Sequence, residues 1–185
     1  MSAPATARAP ATARAPATVR AARAVRAARA VRAALADVMD PELPMVSIVD
    51  LGMIGDVSVD GARGAIRVEI LPTFVGCPAL ELIRSAVATR LASFGRPVEV
   101  VASFAPPWSS DRITDAGRAA LTAVGIAPPM GVSEQPLLIS LEAPVQCPYC
   151  GSRRTRFDSA FGPTQCRTVH HCMECRQPFE AIKPV

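Results

Sequence analysis

Apolar and polar residues alternate in part in two neighbouring stretches near the middle of the chain, residues 53–59 and 65–71. A period of two places alternate side chains on opposite faces of a β-strand. Asp60 and Gly61 lie between the two stretches, and an Asp-Gly pair is a strong turn signal. The pattern therefore predicts a β-hairpin.

A helical period follows the hairpin. Residues 78–94 have apolar side chains three and four positions apart, as in an amphipathic helix, and Gly95 and Pro97 would end it. The next stretch, residues 98–104, is rich in β-branched residues and is predicted to be a strand.

Two further helices complete the pattern. One is expected over residues 18–38 and must end by Asp40, because the residue before a proline is disfavoured in the helical conformation. The other is predicted over residues 111–124, with Ser110 as its N-cap. The order of elements predicts that residues 32–126 form a compact α+β domain, with helices on a small mixed or antiparallel sheet.

Four cysteines near the C-terminus form two Cys-x-x-Cys pairs, Cys147 with Cys150 and Cys172 with Cys175. About twenty residues separate the pairs, marginally past the usual spacing for this signature and enough for a short hairpin. Four thiolates complete the tetrahedral shell that zinc prefers in structural sites. Residues 144–185 are therefore predicted to be a small β-rich zinc ribbon, although iron or a cluster on the same sulfurs stays open.

Three more potential ligands, Cys166, His170 and His171, lie between the two pairs. They could supply a second metal site or an exchangeable ligand. Alternatively, the thiol packs beneath the ribbon and the histidines lie on the surface. We favour the surface for both histidines and leave the role of Cys166 open.

Two segments outside these domains resemble linkers in composition. Residues 1–31 contain most of an array of six-residue repeats, rich in Ala, Arg, Pro and Thr. The proline-containing copies cannot sustain a helix, so this arm is expected to be disordered to helical. Residues 127–143 are rich in proline and are predicted to be a linker, with a possible short strand at residues 137–141.

The net charge of +4 has its origin in the N-terminal arm. The first 32 residues contain seven arginines and no acid, whereas the rest of the chain has 13 basic and 16 acidic residues. The arm could bind an anionic partner or resemble a transit peptide. We favour low-complexity drift, and the charge is weak evidence for nucleic-acid binding by the folded part.

No apolar run is long enough to cross a membrane as a helix, and no secretory signal is recognisable. We therefore expect a cytoplasmic protein. In a reducing compartment its six cysteines favour metal or redox roles over disulfides.

Cys77 has the greatest chemical potential of the residues in the α+β domain. It directly precedes Pro78, and proline favours the first helical position, so Cys77 is predicted to be an N-cap. The helix dipole there would lower the thiol pKa and favour a thiolate nucleophile or soft-metal ligand. Free cysteine also packs as a small hydrophobe, and the pattern leaves these interpretations even.

Three carboxylates, Asp40, Glu42 and Asp50, follow the first helix. They could act as hard-metal ligands or as acid–base groups. From the residues alone, we favour the interpretation that these carboxylates end the helix and keep the loop soluble.

The motifs DPELP, IVDLG, GCP and PPWSSD occur in this order within residues 32–126. The combination resembles the small domain of cytosolic iron–sulfur assembly factors and SufT-like proteins. With the C-terminal motifs CPYCGS and CMECRQPFE, the arrangement is similar to the PaaD family, which accompanies phenylacetyl-CoA epoxidase in aerobic phenylacetate degradation. The N-terminal repeat departs from the family pattern, and the loop at residues 72–77 is more apolar than usual.

The resemblance implies an accessory protein, not an enzyme, that assists maturation of the ring 1,2-epoxidase complex. That complex has a carboxylate-bridged di-iron oxygenase and a flavin and iron–sulfur reductase, so both subunits and iron–sulfur carrier proteins would be partners. By family analogy, Cys77 would handle iron or a cluster with Asp40, Glu42 and Asp50 around it. Zinc in the ribbon would be structural.

Two other functions stay open: a zinc-ribbon nucleic-acid-binding or regulatory protein, and a thiol enzyme that uses Cys77. The scarcity of aromatic side chains for base stacking and the lack of a recognition helix argue against nucleic acid as a partner.

Overall fold

The computed structural model describes residues 17–60, 64–129 and 145–184. The proline-containing part of the N-terminal arm and the strand predicted at residues 137–141 lie outside the described residues. Among the described residues, no helix is long and apolar enough to cross a membrane.

The first helix, α1 (Ala17–Leu35), packs its buried Val31 and Leu35 against the body of the protein. The chain then forms a two-stranded antiparallel hairpin, β1 (Met39–Asp40) and β2 (Leu43–Ser47). The helix ends three residues earlier than predicted because the turn at 36–37 precedes this hairpin, which the sequence pattern did not predict.

The central sheet confirms the predicted α+β fold. Strands β3 (Ile54–Val59) and β4 (Ile66–Ile70) form the expected antiparallel hairpin. Strand β5 (Val98–Ala102) adds to β4 in parallel, so the sheet is mixed, with the order β3-β4-β5. The parallel pairing requires a crossover, which α2 (Leu80–Leu91) and the 3₁₀ turn Ala92–Phe94 provide.

The third helix, α3 (Asp115–Ala123), begins later than predicted. Ser110 is not its N-cap: it opens a separate 3₁₀ turn, Ser110–Arg112, capped by Ser109. The cap of α3 is Thr114, whose hydroxyl accepts the backbone N–H of Gly117 at 3.0 Å. The extended backbone of Ile113 separates the turn from the helix, so one predicted element became two.

The C-terminal sheet joins the ribbon to the body. Its order is β6-β9-β8-β7, from the strands β6 (Ile126–Ala127), β7 (Thr155–Ser159), β8 (Arg167–Cys172) and β9 (Pro178–Ile182). The pairs β7–β8 and β8–β9 are antiparallel, as in a ribbon. Strand β6, which directly follows the body, pairs in parallel with β9.

Apolar packing continues across this junction. Ile182, at the end of β9, is 5% exposed and belongs to the same core cluster as Leu35, Ile83 and Leu121 of the body. Trp108 covers another part of that core, where its indole N–H donates to the Leu51 carbonyl at 2.8 Å. The ribbon is therefore packed on the body through shared core residues as well as through backbone pairing.

Candidate functional site

The two Cys-x-x-Cys pairs come together at one end of the ribbon. The Sγ atoms of Cys147, Cys150, Cys172 and Cys175 all lie within 4.8 Å of one another. The separations are 3.7 Å between Cys147 and Cys175, and 3.6 Å between Cys150 and Cys172. Tetrahedral zinc with bonds of about 2.3 Å requires sulfurs about 3.8 Å apart, so the donor set fits zinc.

Tight turns hold the knuckles in this geometry. The N–H of Gly151 donates to the Cys147 carbonyl at 2.9 Å, and Gly151 has a φ of +73°, which suits glycine. In the second knuckle, the N–H of Cys172 donates to the Gln177 carbonyl at 2.9 Å, while Arg176 has a φ of +60°. The two turns thus belong to the segments that bring the four sulfurs together.

The four thiols do not share negative charge equally. Burial raises the pKa of Cys172, but backbone N–H donors from Cys175 and Glu174 and neighbouring thiols outweigh it and lower the pKa to about 7. The backbone N–H of Gln177 lowers the pKa of Cys175, yet burial and the surrounding thiols raise it to about 12. One thiol ionises readily, and its negative charge disfavours ionisation of its neighbours. A bound cation is therefore needed to stabilise several thiolates together.

Cys77 lies two residues before the N-cap of α2, which is Ala79 and not Cys77 as predicted. Its thiol is only partly exposed. Burial raises the pKa of Cys77, although the backbone N–H of Ala79 lowers it. The helix-start prediction of a lowered thiol pKa is therefore wrong, because burial outweighs the backbone donor.

The charges of other acidic groups also act on this thiol. The negative charges of Glu42, Asp40 and Cys166 raise the pKa of Cys77 further, in that order of effect. Two of these groups come from the β1–β2 hairpin, and Cys166 comes from the ribbon. Groups from three separate parts of the chain thus influence the pKa of Cys77.

Asp40 is the more buried of the two hairpin carboxylates, at 7% exposure. One of its oxygens accepts the backbone N–H groups of Glu42 at 2.8 Å and Leu43 at 3.0 Å. Burial raises the pKa of Asp40, and these donors and the charge of Arg167 lower it only in part. The pKa of Glu42 is raised by burial and then by the charge of Asp40.

Asp50 has different contacts. Its two oxygens accept the hydroxyl groups of Ser47 at 2.7 Å and Thr114 at 2.8 Å. Its backbone carbonyl accepts the Thr114 N–H at 2.9 Å. These bonds fasten the loop after β2 to the start of α3, and they give Asp50 a structural part in the fold.

Arg167 is a site residue that the sequence pattern did not predict. Its side chain is 10% exposed and forms a 2.6 Å ion pair with Glu180. Its positive charge also lowers the pKa values of Asp40 and Glu42. The only available signal was its position next to Cys166, since a lone arginine in a basic ribbon does not otherwise stand out.

The expectation of a surface position for His170 is wrong. It is 2% exposed, stacks on Phe179 with ring centroids 5.5 Å apart, and meets Phe157 edge-on at 5.6 Å. Its Nε2 lies 2.9 Å from the Thr168 hydroxyl, and burial lowers its pKa. His170 is a core residue of the ribbon, whereas His171 is only partly buried.

A groove of about 550 Å³ separates the β1–β2 hairpin from the ribbon. Glu42 and Met45 line the hairpin side, and Arg167, Tyr149 and Phe179 line the ribbon side. Met45 and Tyr149 are 65% and 57% exposed. The groove is thus open, largely apolar, and bordered by the charged groups of the thiol site.

Comparison with known proteins agrees with this two-part organisation. Residues 28–102 match the iron-sulfur cluster assembly protein family, and residues 133–183 match the PaaD zinc beta ribbon domain. A crystal structure of a DUF59 domain, a domain of unknown function, from Bacillus anthracis superposes with a TM-score of 0.51 and 32% identity, covering 55% of this chain and 96% of that one.

The relationship extends over most of the chain. An Escherichia coli (strain K12) protein that is named as a subunit of a "Putative 1,2-phenylacetyl-CoA epoxidase" is 38% identical over 150 residues, which is 80% of this chain and 88% of that protein. The assembly-type match precedes the ribbon match along this chain, and the four-cysteine cluster lies in the second. The chain therefore belongs to the PaaD family, in which an iron–sulfur cluster assembly domain is joined to a zinc ribbon.

Proposed function

We propose that this protein is a non-catalytic accessory subunit of a phenylacetyl-CoA epoxidase system, and that it assists assembly of the iron or iron–sulfur centres of that complex. Its partners would be the oxygenase and reductase subunits, with iron–sulfur carrier proteins as the source of the cargo. The name of the E. coli relative and the matched assembly domain support this proposal.

The observation that supports it most is the setting of Cys77. A partly exposed thiol in the assembly-type domain lies within electrostatic range of two carboxylates, Glu42 and Asp40. Thiolates suit iron–sulfur chemistry, and carboxylates suit the iron of a di-iron centre. This combination can bind iron as cargo without enclosing it.

The two cysteine sites differ in ways that fit different roles. The ribbon sulfurs form a closed set of four, which suits a permanent structural zinc. Among the described residues, no other group of three or more Cys, His, Asp or Glu side chains is placed to hold a metal ion, so the surroundings of Cys77 form no preformed cage. An open site favours uptake and release over storage.

The protonation of Cys77 would regulate this exchange. Because its pKa is raised, the thiol is protonated at neutral pH when no cation is near. An arriving iron ion displaces the proton of the Cys77 thiol, which passes to water, and the resulting thiolate binds the iron. On release of iron to a client, reprotonation of the sulfur opposes rebinding.

The test is co-production of the protein with the epoxidase subunits under limiting iron. Cys77→Ser should lower the iron and acid-labile sulfide of the purified oxygenase or reductase, together with epoxidase activity. Thr73→Ala, in the same loop, retains the thiol and serves as the matched control. Normal iron, sulfide and activity in the client subunits of the Cys77→Ser strain would refute the proposal.

A further inference from the structure

A second groove, of about 960 Å³, lies between α1 and the central sheet, and we call it the arginine groove. One wall is the N-terminal part of α1. The other wall comes from the ends of the β3–β4 hairpin and the loop before β5, with the residues Val59, Asp60, Gly64, Gly95, Arg96 and Pro97. Ligand pockets commonly have volumes of about 300–1,000 Å³, so a single small anion would leave most of this groove unfilled.

Hydrogen bonds and packing hold both walls in place. Val31 is 1% exposed, and the Arg32 guanidinium donates to the Gly55 carbonyl at 2.6 Å, so the C-terminal part of α1 is fastened to the body. On the opposite wall, the Ile66 N–H donates to the Pro97 carbonyl at 2.8 Å, which ties the loop before β5 to β4. The arginine groove therefore lies between two anchored elements.

The N-terminal part of α1 presents its charges to the groove. None of residues 17–30 is buried. Arg20, Arg23 and Arg26 line the groove from α1, and Arg96 lines it from the opposite wall. On a helix of about 3.6 residues per turn, side chains three positions apart differ by about 60° in direction, so the three helix arginines share a face of about 120°. The arginines further along α1 turn away from this face.

The three helix arginines have no balancing charge on α1, which contains no acidic residue. Within the part of the chain that the structure describes, the side chains of Arg20, Arg23 and Arg26 form no ion pair or hydrogen bond. Like charges three positions apart destabilise a helix, and positive charge in the first turn opposes the helix dipole. Carboxylates from a partner, placed in the groove, would relieve both effects.

The remaining lining favours a peptide over a nucleic acid. Among the described residues that line the groove, no side chain is aromatic, so bases would have nothing to stack on. Asp60 also lines the groove, and its negative charge disfavours a continuous phosphate backbone. Between the arginines lie small apolar side chains, Ala22, Ala24 and Ala27, which leave room for the apolar side chains of a second helix.

We propose that the arginine groove docks an acidic, amphipathic helix of a partner protein, whose carboxylates pair with Arg20, Arg23 and Arg26. Carboxylates three or four residues apart on that helix would match the spacing of these arginines. The inference goes beyond the proposed function, because it concerns a surface of α1 and does not involve Cys77. It also gives the arginines of the N-terminal repeat a binding role that low-complexity drift does not supply.

The binding experiment uses the zinc-loaded full chain and a fluorescein-labelled peptide of Glu, Ala and Leu. The peptide has Glu at every third or fourth position and is about 15 residues long, enough to form a helix. Fluorescence anisotropy measures its affinity at about 0.15 M salt, where exposed charges more than about 8 Å apart are largely screened. The wild type should bind the peptide, and added salt should weaken the binding.

Two double variants separate the groove from general charge. Arg23→Gln with Arg26→Gln should weaken peptide binding about fivefold, since two exposed ion pairs are lost. Arg29→Gln with Arg156→Gln removes the same charge from exposed positions outside the groove lining and should bind nearly as the wild type does. Gln has almost the helix propensity of Arg, so α1 should persist in both variants, and circular dichroism checks this.

Hydrogen exchange followed by mass spectrometry locates the bound peptide independently of the variants. The peptide should slow exchange of the amides in residues 17–30 and in the loop before β5, because it covers both walls of the groove. Parallel anisotropy titrations with single-stranded and duplex oligonucleotides of matched charge test the choice of partner.

Weaker binding confined to the groove variant, with slowed exchange in α1, supports the proposal. Equal weakening in both variants, slowed exchange elsewhere, or no peptide binding at this salt concentration would overturn it. Tighter binding of an oligonucleotide that depends on Arg23 and Arg26 would assign the groove to nucleic acid and overturn the choice of a protein partner. None of these results bears on the Cys77→Ser experiment, so the proposed function stands or fails separately.

Discussion

Ile182 gives the sharpest test of how the ribbon and the body depend on each other. Its side chain belongs to a ribbon strand, yet it is 95% buried in the core of the body. Ile182→Ala removes three carbon atoms. At about 0.8 kcal/mol for each buried methylene, the transfer contribution is about 2.4 kcal/mol, and the cavity left behind brings the expected loss to about 3 kcal/mol.

The assay is urea unfolding of the zinc-saturated protein, followed by the fluorescence of Trp108. This residue is the only tryptophan, is 6% exposed, and lies in the body, far along the chain from the substituted position. With a denaturant dependence of about 2 kcal/mol/M, the midpoint should fall by about 1.5 M. Ile182→Val removes one carbon and should cost about 1 kcal/mol.

Phe161→Ala is the matched ribbon control, because its ring is 72% exposed and should contribute little to the core. If the urea midpoint followed by Trp108 fluorescence is unchanged in Ile182→Ala, the body unfolds independently of the ribbon. The packing argument would then be wrong.

Three other perturbations have clear expected results. Cys175→Ser should remove zinc from the ribbon, since it breaks the four-sulfur shell, and metal analysis of the purified protein measures the loss. Thr114→Ala removes the hydroxyl that caps Gly117, and thermal or urea unfolding should show a loss of about 1 kcal/mol or somewhat more. The alkylation rate of Cys77 in zinc-loaded protein should rise with pH to a midpoint above that of free cysteine, since burial and then the charge of Glu42 raise its pKa; Glu42→Gln should move the midpoint down.

Local patterns predicted the parts of the fold that depend on near neighbours in the chain. In the β3–β4 hairpin β4 alternates strictly and β3 in part, and α2 has its apolar side chains on one face, so both were predictable. The predicted cap at Ser110 failed because Ser109, Ser110 and Thr114 all offer hydroxyl groups. Propensity alone does not decide which of these hydroxyls meets a free backbone N–H.

His170 shows that a signal for burial was present in the sequence. Side chains two apart in β8 share a face, so His170 lies on the same side as the metal-ligand candidate Cys172 and the buried Thr168. That face points into the ribbon core. The period of two therefore implied burial, whereas the general preference of histidine for partly exposed positions favoured the surface.

The pairing of β6 with β9 could not be predicted from the sequence. A two-residue strand is too short to have a measurable period, and its partner lies more than fifty residues further along the chain. The same C-terminal sheet places Arg167 in the groove that the hairpin lines. The four ribbon cysteines were predictable as a group because their spacing is local, whereas the surroundings of Cys77 depend on tertiary packing.

The position of β9 has a consequence for the order in which the protein is made. On the ribosome, the body emerges first, but β6 has no sheet partner and the core lacks Ile182 until the last element has been synthesised. Cys172 and Cys175, which complete the candidate zinc site, are synthesised just before that step. Translation under zinc starvation should therefore leave nascent chains with an incompletely covered body, and their degradation would link metal supply to the abundance of the protein.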